Sequence, residues 1–257
     1  MQVFFVGAGP GDPELITVKG QRLLGRADVI IYAGSLVNPA LLGLAKQGAA
    51  IYNSASMTLP EVIQVMEEAV AAGKTVVRLH TGDPSIYGAI QEQMDALAPK
   101  GIAYTVVPGV SSFLATAAAL QREYTLPEVS QTVIITRLEG RTPVPEKEKL
   151  ALLASHQATM CIFLSVHMLD TVMAELKEGG YTGDTPVAVV QKASWPDQKI
   201  LRGTVDTIAP ILAAEGIDRT AMIVVGRFLG DDYALSRLYA PEFGHMFRQS
   251  SDDGAGA

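Results

Sequence analysis

The sequence contains a single cysteine, Cys161, among its 257 residues. No disulfide can therefore form within the chain, which fits a protein of the reducing cytosol. Cys161 lies in the apolar run MCIFL at residues 160–164, and no positively charged neighbour in the sequence would stabilise its thiolate. We therefore expect Cys161 to be a buried core residue and not a nucleophile.

Long hydrophobic runs and a positive charge excess are also absent. No apolar run approaches the ~20 residues that a membrane-spanning helix needs, and the opening residues MQVFF lack the basic region of a signal peptide. The net charge of −7 argues against binding along a nucleic-acid backbone, although it still allows a local basic pocket for an acidic small molecule. With 48% apolar and 18% charged residues, the composition predicts a globular protein of one large or two small domains.

The stretch RLHTGDPSIYG at residues 78–88 predicts a ligand-binding turn. It follows TVV at 75–77, which we interpret as a buried strand, and it precedes a helical pattern that begins at residue 89. In open α/β sheets, small ligands bind at the carboxyl ends of strands, and Gly82 would let the backbone approach a ligand closely. Asp83 either accepts hydrogen bonds from the ligand, or caps the next helix and binds nothing.

A second turn of the same kind occurs further along the chain. The strand YTVV at 104–107 leads into PGVSS at 108–112, and a helix of small residues then runs from Phe113 to Leu120. Ser111 and Ser112 either cap this helix or contact a ligand. Two such turns that face each other would form a pocket for a polar ligand.

The first strand, residues 2–6, is followed by GAGPGDP, which at first is similar to a dinucleotide-binding fingerprint. Asp12 occupies the position of the third glycine, Pro10 interrupts the turn, and the strand at 29–32 does not end in the required acidic residue. Asp12 is better interpreted as the N-cap of a helix from Pro13 to Gly25 that directs Val18 toward the core. The pattern therefore argues against a nicotinamide-dependent oxidoreductase.

The alternation of strands and helices pauses at LPE, residues 126–128. We therefore predict an N-terminal α/β domain at 1–125, a C-terminal α/β domain at 126–230, and a tail at 231–257 whose end is disordered. In the second domain, the strand at 186–190 and the segment at 199–204 indicate a hairpin, so we expect a mixed sheet.

Taken in order, these motifs resemble those of the tetrapyrrole methylase family, and the similarity extends from residue 2 to about residue 230. The motifs that carry the resemblance are GAGPGDP at 7–13, ADV at 27–29, RL at 78–79, GDP at 82–84 and VPGVSS at 107–112. The resemblance implies a methyltransferase that uses S-adenosylmethionine. It also implies an α/β fold of two α/β domains, with the cofactor bound in the cleft between them.

The resemblance further implies which residues bind the cofactor. The turn at 81–83 would hold the ribose or amino-acid part, and residues of the second domain would surround the adenine. The implied cofactor-binding residues are Pro10, Thr81, Gly82, Asp83, Ile86, Ser111, Ser112, Leu164, Ala193, Thr220, Ala221 and Met222. Ala33 stands where uroporphyrinogen methylases of this family carry an aspartate, so no catalytic residue is assigned. No metal site is expected.

Further segments resemble one branch of the family, which methylates carbon 11 of precorrin-4 or cobalt-precorrin-4 in cobalamin biosynthesis. These segments are YAGSLV at 32–37, EYTLPEVSQ at 123–131, TRLEGRTPVP at 136–145 and KASWP at 192–196, in which Ser194 replaces the usual Thr. An acidic protein needs local cations for the carboxylate arms of a tetrapyrrole, and the candidates are Arg137, Arg141, Lys19 and Arg78. Methylation of another corrinoid carbon or another acceptor, and tetrapyrrole binding without turnover, remain alternatives.

The resemblance also implies a homodimer. Residues 233–247 of the tail are rich in aromatic and apolar residues, which are enriched in the buried centres of interfaces. Pro241 and Gly244 interrupt this segment, so it cannot form one long helix. Its apolar side chains either contact a second copy of the chain or fold back over their own domain.

Overall fold

The structure is a computed structural model that describes residues 2–250, apart from the side chains of Ser35 and Tyr239. The predicted disorder at the end of the tail concerns residues 251–257, which lie outside the described residues. The described residues form two compact units. The first contains the chain up to Leu120 together with Val190–Ile200, and the second contains Gln121–Val189 and the described residues from Leu201 onward.

This division differs from the predicted domain limits at two places. Residues 121–125 group with the second unit, where the Tyr124 carbonyl accepts a hydrogen bond of 2.9 Å from Thr159 Oγ1. Val190–Ile200 groups with the first unit, where Trp195 Nε1 donates to the Pro10 carbonyl at 2.9 Å. Whether the predicted limits separate independently folding domains stays a prediction.

The first unit is a parallel sheet with helices. Its strands are β1 (Val3–Gly7), β2 (Val29–Tyr32), β3 (Ala50–Asn53), β4 (Val76–His80) and β5 (Tyr104–Val107), and its helices are α1 (Val18–Leu24), α2 (Leu59–Ala71), α3 (Gln91–Leu97) and α4 (Ser112–Leu120). The strands lie in the order β3-β2-β4-β1-β5, and neighbouring strands run parallel. The carboxyl ends of β1, β4 and β5 therefore meet at one edge of the sheet.

The central strands β1, β2 and β4 are buried on both faces, as expected for strands that are apolar along most of their length. Successive strand residues point to opposite faces. Phe5 and Ile31 thus pack with Met66 of α2 on one face, while Val6 packs with Leu24 of α1 on the other. This packing on both faces holds the strands in register with each other, and the register determines where the turns that follow them lie.

The chain after β1 departs from the predicted helix. Asp12 acts as an N-cap, as predicted, because its Oδ1 accepts a backbone N–H two residues further on. A continuous helix from Pro13 to Gly25 is wrong, since residues 13–15 form a 3-10 turn and α1 begins at Val18 with Thr17 as its N-cap. Val18 is 81% exposed, so its predicted place in the core is also wrong.

The second unit is built on a mixed sheet. Its strands are β6 (Val133–Arg137), β7 (Thr159–Phe163), β8 (Pro186–Gln191), β9 (Lys199–Thr204) and β10 (Ala221–Val225), and its helices are α5 (Leu150–Ala154), α6 (Leu169–Glu178) and α7 (Ile208–Glu215). The strand order is β6-β7-β10-β8-β9. Strands β6 and β7 are parallel, whereas β7 and β10 are antiparallel, which confirms the predicted mixed sheet. Strands β8 and β9 are neighbours, as the predicted hairpin requires.

Cys161 lies in the middle of β7 and is fully buried. Burial raises the pKa of its thiol to about 12, so the thiolate is not formed near neutral pH. The prediction that Cys161 is a core residue and not a nucleophile is confirmed.

Candidate active site

Gly9 and Gly82 join the ends of the two neighbouring strands β1 and β4. The N–H of Gly82 donates to the Gly9 carbonyl at 2.8 Å, and the N–H of Gly9 donates to the Gly82 carbonyl at 3.3 Å. Their φ angles of +78° and +60° lie in the left-handed region, which glycine enters without a steric cost. The predicted turn after the buried strand is therefore confirmed, and it is fixed to the loop that follows β1.

Gly109 brings the end of β5 against the same two strands. A Cβ on Gly109 would lie 2.2 Å from the carbonyl oxygen of Gly82 and 2.8 Å from the Cα of Gly7. Any side chain at this position would push the neighbouring backbone away. The carboxyl ends of β4, β1 and β5 thus approach each other closely, and this approach requires glycine. Small ligands bind at such strand ends in open α/β sheets.

Asp83 ties two of these turns together. Its Oδ2 accepts the N–H of Gly109 at 2.9 Å, and its Oδ1 accepts the N–H of Ser85 at 2.8 Å. The alternative in which Asp83 caps the next helix is wrong, because α3 begins only at Gln91. Asp83 instead stabilises the turn that it belongs to and holds it to the end of β5. A contact between Asp83 and a ligand remains a prediction.

Ser111 and Ser112 lie opposite the Gly82 turn. A Cβ on Gly82 would be 3.5 Å from the Cα of Ser111, which confirms that the two predicted turns face each other. Ser111 is buried, and its carbonyl accepts the N–H groups of Leu114 and Ala115 at the start of α4. The serines therefore begin the helix, and their contact with a ligand remains a prediction.

Thr81 and Ile86 flank the Asp83 turn. Thr81 Oγ1 donates to the Leu36 carbonyl at 2.8 Å, while Ile86 is half-buried. Beyond Ile86, the backbone of Tyr87 has φ +54° and that of Ala89 has φ +48°. Left-handed backbone is costly for residues that carry a side chain, and such strain clusters at functional sites. The strain in this turn is thus consistent with a binding role for its neighbours.

Pro10 lies in a loop that is held by hydrogen bonds to distant parts of the chain. Trp195 Nε1 donates to the Pro10 carbonyl at 2.9 Å, and Ser194 Oγ accepts the N–H of Asp12 at 3.0 Å. Asn38 Nδ2 donates to the carbonyl of the intervening Gly11 at 2.8 Å. The sequence analysis missed Trp195 and Asn38 as site residues. The one tryptophan of the chain, in the motif KASWP, was the signal available for Trp195.

Ala193 is buried beside this loop, between two residues with left-handed backbone. Lys192 has φ +49° and Ser194 has φ +70°. Strained backbone of this kind clusters at functional sites, so its presence on both sides of Ala193 supports the predicted cofactor role. Contact between Ala193 and the cofactor stays a prediction.

The remaining predicted cofactor residues belong to the second unit. Leu164 follows β7 with φ +55° and is 59% exposed. Thr220 has φ +53° and precedes β10, whose first two residues are Ala221 and the buried Met222. Leu164 and Thr220 thus again combine a predicted binding role with backbone strain.

Arg78 does not lie where a substrate carboxylate could reach it. The side chain is only 7% exposed, with Nε donating to Gln93 Oε1 at 3.1 Å and Nη1 donating to the Ile31 carbonyl at 3.3 Å. Burial lowers the pKa of its guanidinium to about 10. The predicted substrate contact of Arg78 is therefore corrected, because its strand position directs it into the sheet face that α2 and α3 cover.

Arg137 binds its own loop. Its Nη1 donates to the carbonyls of Leu138 and Thr142, and its Nη2 donates to the carbonyl of Pro143 at 2.7 Å. These bonds shape the loop that carries Arg141. Arg141 and Lys19 are exposed, and neither makes a hydrogen bond or ion pair with the residues that the structure describes. Arg141 and Lys19 are thus the predicted cations that remain available to a ligand.

Residues 2–250 contain no group of three or more His, Cys, Asp or Glu side chains that could hold a metal ion. In the same part of the chain, no helix combines the length and the apolar character needed to cross a membrane.

Residues 2–209 match the family model described as Tetrapyrrole (Corrin/Porphyrin) Methylases. The chain belongs to the tetrapyrrole methylase family. The resemblance that the ordered motifs predicted is therefore confirmed.

Curated members of this family are similar over almost their whole length. The cobalt-precorrin-4 C(11)-methyltransferase of Methanocaldococcus jannaschii is 62% identical over 250 residues, which are 97% of this chain and 96% of that protein. The precorrin-4 C(11)-methyltransferase of Pseudomonas aeruginosa is 49% identical over 249 residues, which are 96% of this chain and 99% of that protein.

Solved structures of tetrapyrrole methylases have the same fold. The X-ray structure of a cobalamin biosynthetic enzyme, cobalt precorrin-4 methyltransferase, gives a TM-score of 0.88 at 50% identity and covers 90% of this chain and 96% of its own. Uroporphyrin-III C-methyl transferase of Thermus thermophilus, complexed with S-adenyl homocysteine, gives a TM-score of 0.72 at 28% identity and covers 89% and 93%. These neighbours confirm the predicted α/β fold class.

Proposed function

We propose that this chain transfers a methyl group from S-adenosylmethionine to carbon 11 of cobalt-precorrin-4, giving cobalt-precorrin-5, in cobalamin biosynthesis. One observation carries the proposal: the 62% identity, over 97% of the chain, to a protein with that named activity. At 49% identity, one relative is named for cobalt-precorrin-4 and another for precorrin-4, so the preference for the cobalt form rests on the relative at 62%. Cobalt here belongs to the substrate and needs no resident metal site.

The edge formed by β1, β4 and β5 fits the proposed cofactor. Gly9, Gly82 and Gly109 let the strand ends approach each other, since added Cβ atoms would be strained or would collide with their neighbours. Thr81 and Asp83 supply a hydroxyl and a carboxylate beside this edge, which are suitable partners for the ribose or amino-acid part of the cofactor. We expect micromolar affinity, on the order of −8 kcal/mol.

The bound cofactor supplies a sulfonium that carries an already activated methyl group. The task left to the chain is therefore to position the two reactants in line and to exclude water from them. Methyl transfer converts the sulfonium into a neutral thioether, so an apolar surrounding favours the transition state over the charged ground state. The exposed side chain of Leu164 is suited to provide such a surrounding. We assign no base, since Ala33 stands where the uroporphyrinogen methylases of the family carry an aspartate.

Arg141 is the cation that we propose for the carboxylate arms of the substrate, with Lys19 as a second. The side chain of Arg141 is exposed and makes no hydrogen bond or ion pair within residues 2–250, whereas Arg137 donates to the carbonyls of Leu138 and Thr142, which lie on either side of Arg141 in the chain. Arg137 thus acts by shaping the loop. The guanidinium of Arg141 can pair with a carboxylate through two hydrogen bonds.

We also propose a homodimer, on the basis of the tail. Among the apolar side chains of the tail, those of Leu235, Met246 and Phe247 are 84%, 87% and 88% exposed. Arg248 Nη2 gives this segment its shape by donating to the carbonyls of Leu238, Ala240 and Phe243. An ordered segment with exposed apolar side chains supports contact with a second copy. Tyr239, which belongs to the predicted interface segment, has a side chain that is not among those described.

We propose the cytosol as the compartment, because the single buried cysteine permits no intrachain disulfide.

Incubation of the purified chain with S-adenosylmethionine and cobalt-precorrin-4 tests the proposed function. We expect S-adenosylhomocysteine to form only when both are present. Turnover with a different corrinoid and not with cobalt-precorrin-4 would favour another acceptor. Tetrapyrrole binding with no S-adenosylhomocysteine from any acceptor would favour the non-catalytic alternative.

A further inference from the structure

Trp195 and Ser194 hold the loop after β1 at consecutive residues. Trp195 Nε1 donates to the Pro10 carbonyl at 2.9 Å, and the hydroxyl of Ser194 accepts the N–H of Asp12 at 3.0 Å. The indole also covers Gly11 so closely that a Cβ on this glycine would lie 2.0 Å from Trp195 Cδ1. We call these contacts, from Pro10–Asp12 to Ser194–Trp195, the tryptophan clamp.

The backbone that carries the clamp is strained and held in place. Ser194 has φ +70°, and its N–H donates to Gln198 Oε1 at 2.7 Å. The N–H of Trp195 donates to the carbonyl of Lys192, which has φ +49°. Left-handed backbone persists in residues with side chains only where the surroundings determine it, and it clusters at functional sites. The clamp is therefore a fixed geometry and not an incidental surface contact.

The clamp holds the residues that directly follow Gly9. Gly9 is bound to Gly82 through two backbone hydrogen bonds, and the next three residues are bound by Asn38, Ser194 and Trp195. The Pro10 carbonyl is thus occupied by the indole and cannot accept a hydrogen bond from a ligand along the same direction. The indole fixes where the proline ring and the Gly11 backbone lie at the edge of the site.

We propose that Trp195 is a positioning residue, which sets the Pro10–Gly11 backbone against the cofactor and the acceptor. This inference rests on the proposed methyl transfer. Small misplacements in a site that works by orientation lower the rate more than the affinity. Loss of the indole N–H should therefore lower kcat while leaving the affinity for the cofactor nearly unchanged.

The clamp also carries its own spectroscopic probe. Trp195 is the single tryptophan of the chain, so the tryptophan emission of the intact protein reports on this position alone. A ligand that contacts Pro10 or Gly11 should change that emission, because the indole N–H is bound to the same loop. This readout requires binding and no turnover.

The test compares Trp195→Phe and Ser194→Ala with Lys100→Gln. The first two remove one clamp hydrogen bond each, whereas Lys100→Gln breaks an exposed ion pair with Glu67 in the same unit. We expect kcat to fall ~10-fold in Trp195→Phe and ~5-fold in Ser194→Ala, with the Kd for S-adenosylhomocysteine within ~3-fold of wild type by calorimetry. Lys100→Gln should keep kcat within ~2-fold. Addition of S-adenosylhomocysteine should shift the emission of the wild type.

A kcat within ~2-fold of wild type in both clamp variants would overturn the proposal, since a lost hydrogen bond that orders the site must slow the reaction. Unfolding of both variants, with parallel loss of binding and rate, would also overturn it and leave Trp195 a purely structural role. An unchanged emission in a wild type that binds S-adenosylhomocysteine would contradict contact with the loop. If the emission responds but no tetrapyrrole is methylated, the proposed function fails while the clamp's contact with the cofactor stands.

Discussion

Asp83 and Gly109 are joined by a hydrogen bond of 2.9 Å from the glycine N–H to the carboxylate Oδ2. The bond links the turn after β4 to the turn after β5, and the other oxygen of the same carboxylate holds the N–H of Ser85. A single side chain therefore fixes two turns of the candidate site. Hydrogen bonds from backbone N–H groups to a carboxylate are among the stronger ones in proteins.

Replacement of Asp83 tests this link. We expect Asp83→Ala to lower the free energy of unfolding by ~1–3 kcal/mol and to weaken cofactor binding by a similar amount, because two N–H groups lose their acceptor. Asp83→Asn is the matched control, since it keeps one acceptor oxygen and should lose less of both. Urea denaturation and calorimetry measure the two effects. Unchanged cofactor affinity with lowered stability would restrict Asp83 to a structural role.

Gly109 is predicted to tolerate no side chain. Gly109→Ala places a Cβ 2.2 Å from the Gly82 carbonyl oxygen, and we expect a loss of stability of ~1–3 kcal/mol or more together with loss of cofactor binding. Gly43→Ala is the control, because a Cβ there meets nothing within 4 Å. The control should be neutral or stabilising by up to ~1 kcal/mol. Equal stability of the two variants in thermal unfolding would contradict the close approach of the strand ends.

Replacement of Arg141 should weaken the binding of the tetrapyrrole and not that of the cofactor. Arg141→Ala should raise the Michaelis constant for the tetrapyrrole ~10-fold or more, while the affinity for S-adenosylmethionine stays the same, because only the substrate arms lose a partner. Arg219→Ala serves as a surface control, since the Arg219 side chain is 80% exposed and, among residues 2–250, pairs only with the adjacent Asp218. Equal losses for both ligands in Arg141→Ala would indicate a damaged fold and refute the specific role.

His80 should make the protein sensitive to acid. Its side chain is buried with Nε2 lacking a hydrogen-bond partner in the described residues, and burial, helped by Arg78, lowers the pKa of the imidazole from 6.5 to about 3. The unfolded chain therefore binds a proton that the folded one refuses, and stability falls as the pH drops from about 6.5 toward 3, by up to ~1.4 kcal/mol per pH unit.

His80→Leu should reduce this dependence, whereas substitution of the exposed His156 by Gln should not. Urea denaturation at a series of pH values between neutrality and pH 4.5 measures both. A pH profile of His80→Leu that parallels the wild type would contradict a buried neutral imidazole.

The tail should hold two copies of the chain together. Sedimentation of the intact chain should give a dimer at micromolar concentration, and a version that ends at Gly230 should give a monomer. The exposed side chains removed by this truncation include Leu235, Met246 and Phe247, at 84%, 87% and 88%. A monomeric intact chain would refute the dimer, and a dimeric truncated chain would place the interface elsewhere.

Local signals in the sequence were enough to predict much of the fold. The strands before Gly9, Gly82 and Gly109 are short apolar runs that end in glycine and proline, and both signals depend only on neighbouring residues. The burial of Arg78 could also have been predicted from the sequence, because a residue within a strand that is buried on both faces has a buried side chain. The prediction of one long helix after Asp12 is wrong because Asp12 caps only a 3-10 turn, and Thr17 supplies a second cap, which begins α1.

The contacts that organise the site could not be predicted in this way. The hydrogen bond from Trp195 to Pro10 joins residues 185 positions apart, and that from Ser194 to Asp12 spans 182. Nothing in either segment specifies the other, since each bond exists only after both sheets and their connecting turns have formed. The sharing of one carboxylate between Ser85 and Gly109 is likewise a product of the folded strand order.

The most direct test of the proposed activity locates the transferred methyl group. The purified chain is incubated with cobalt-precorrin-4 and with S-adenosylmethionine that carries carbon-13 in its methyl group, and the product is studied by mass spectrometry and carbon-13 NMR. The account predicts a single new labelled methyl on carbon 11, formed together with one equivalent of S-adenosylhomocysteine. A label on any other carbon, or no labelled tetrapyrrole from a chain that binds both reactants, would contradict it.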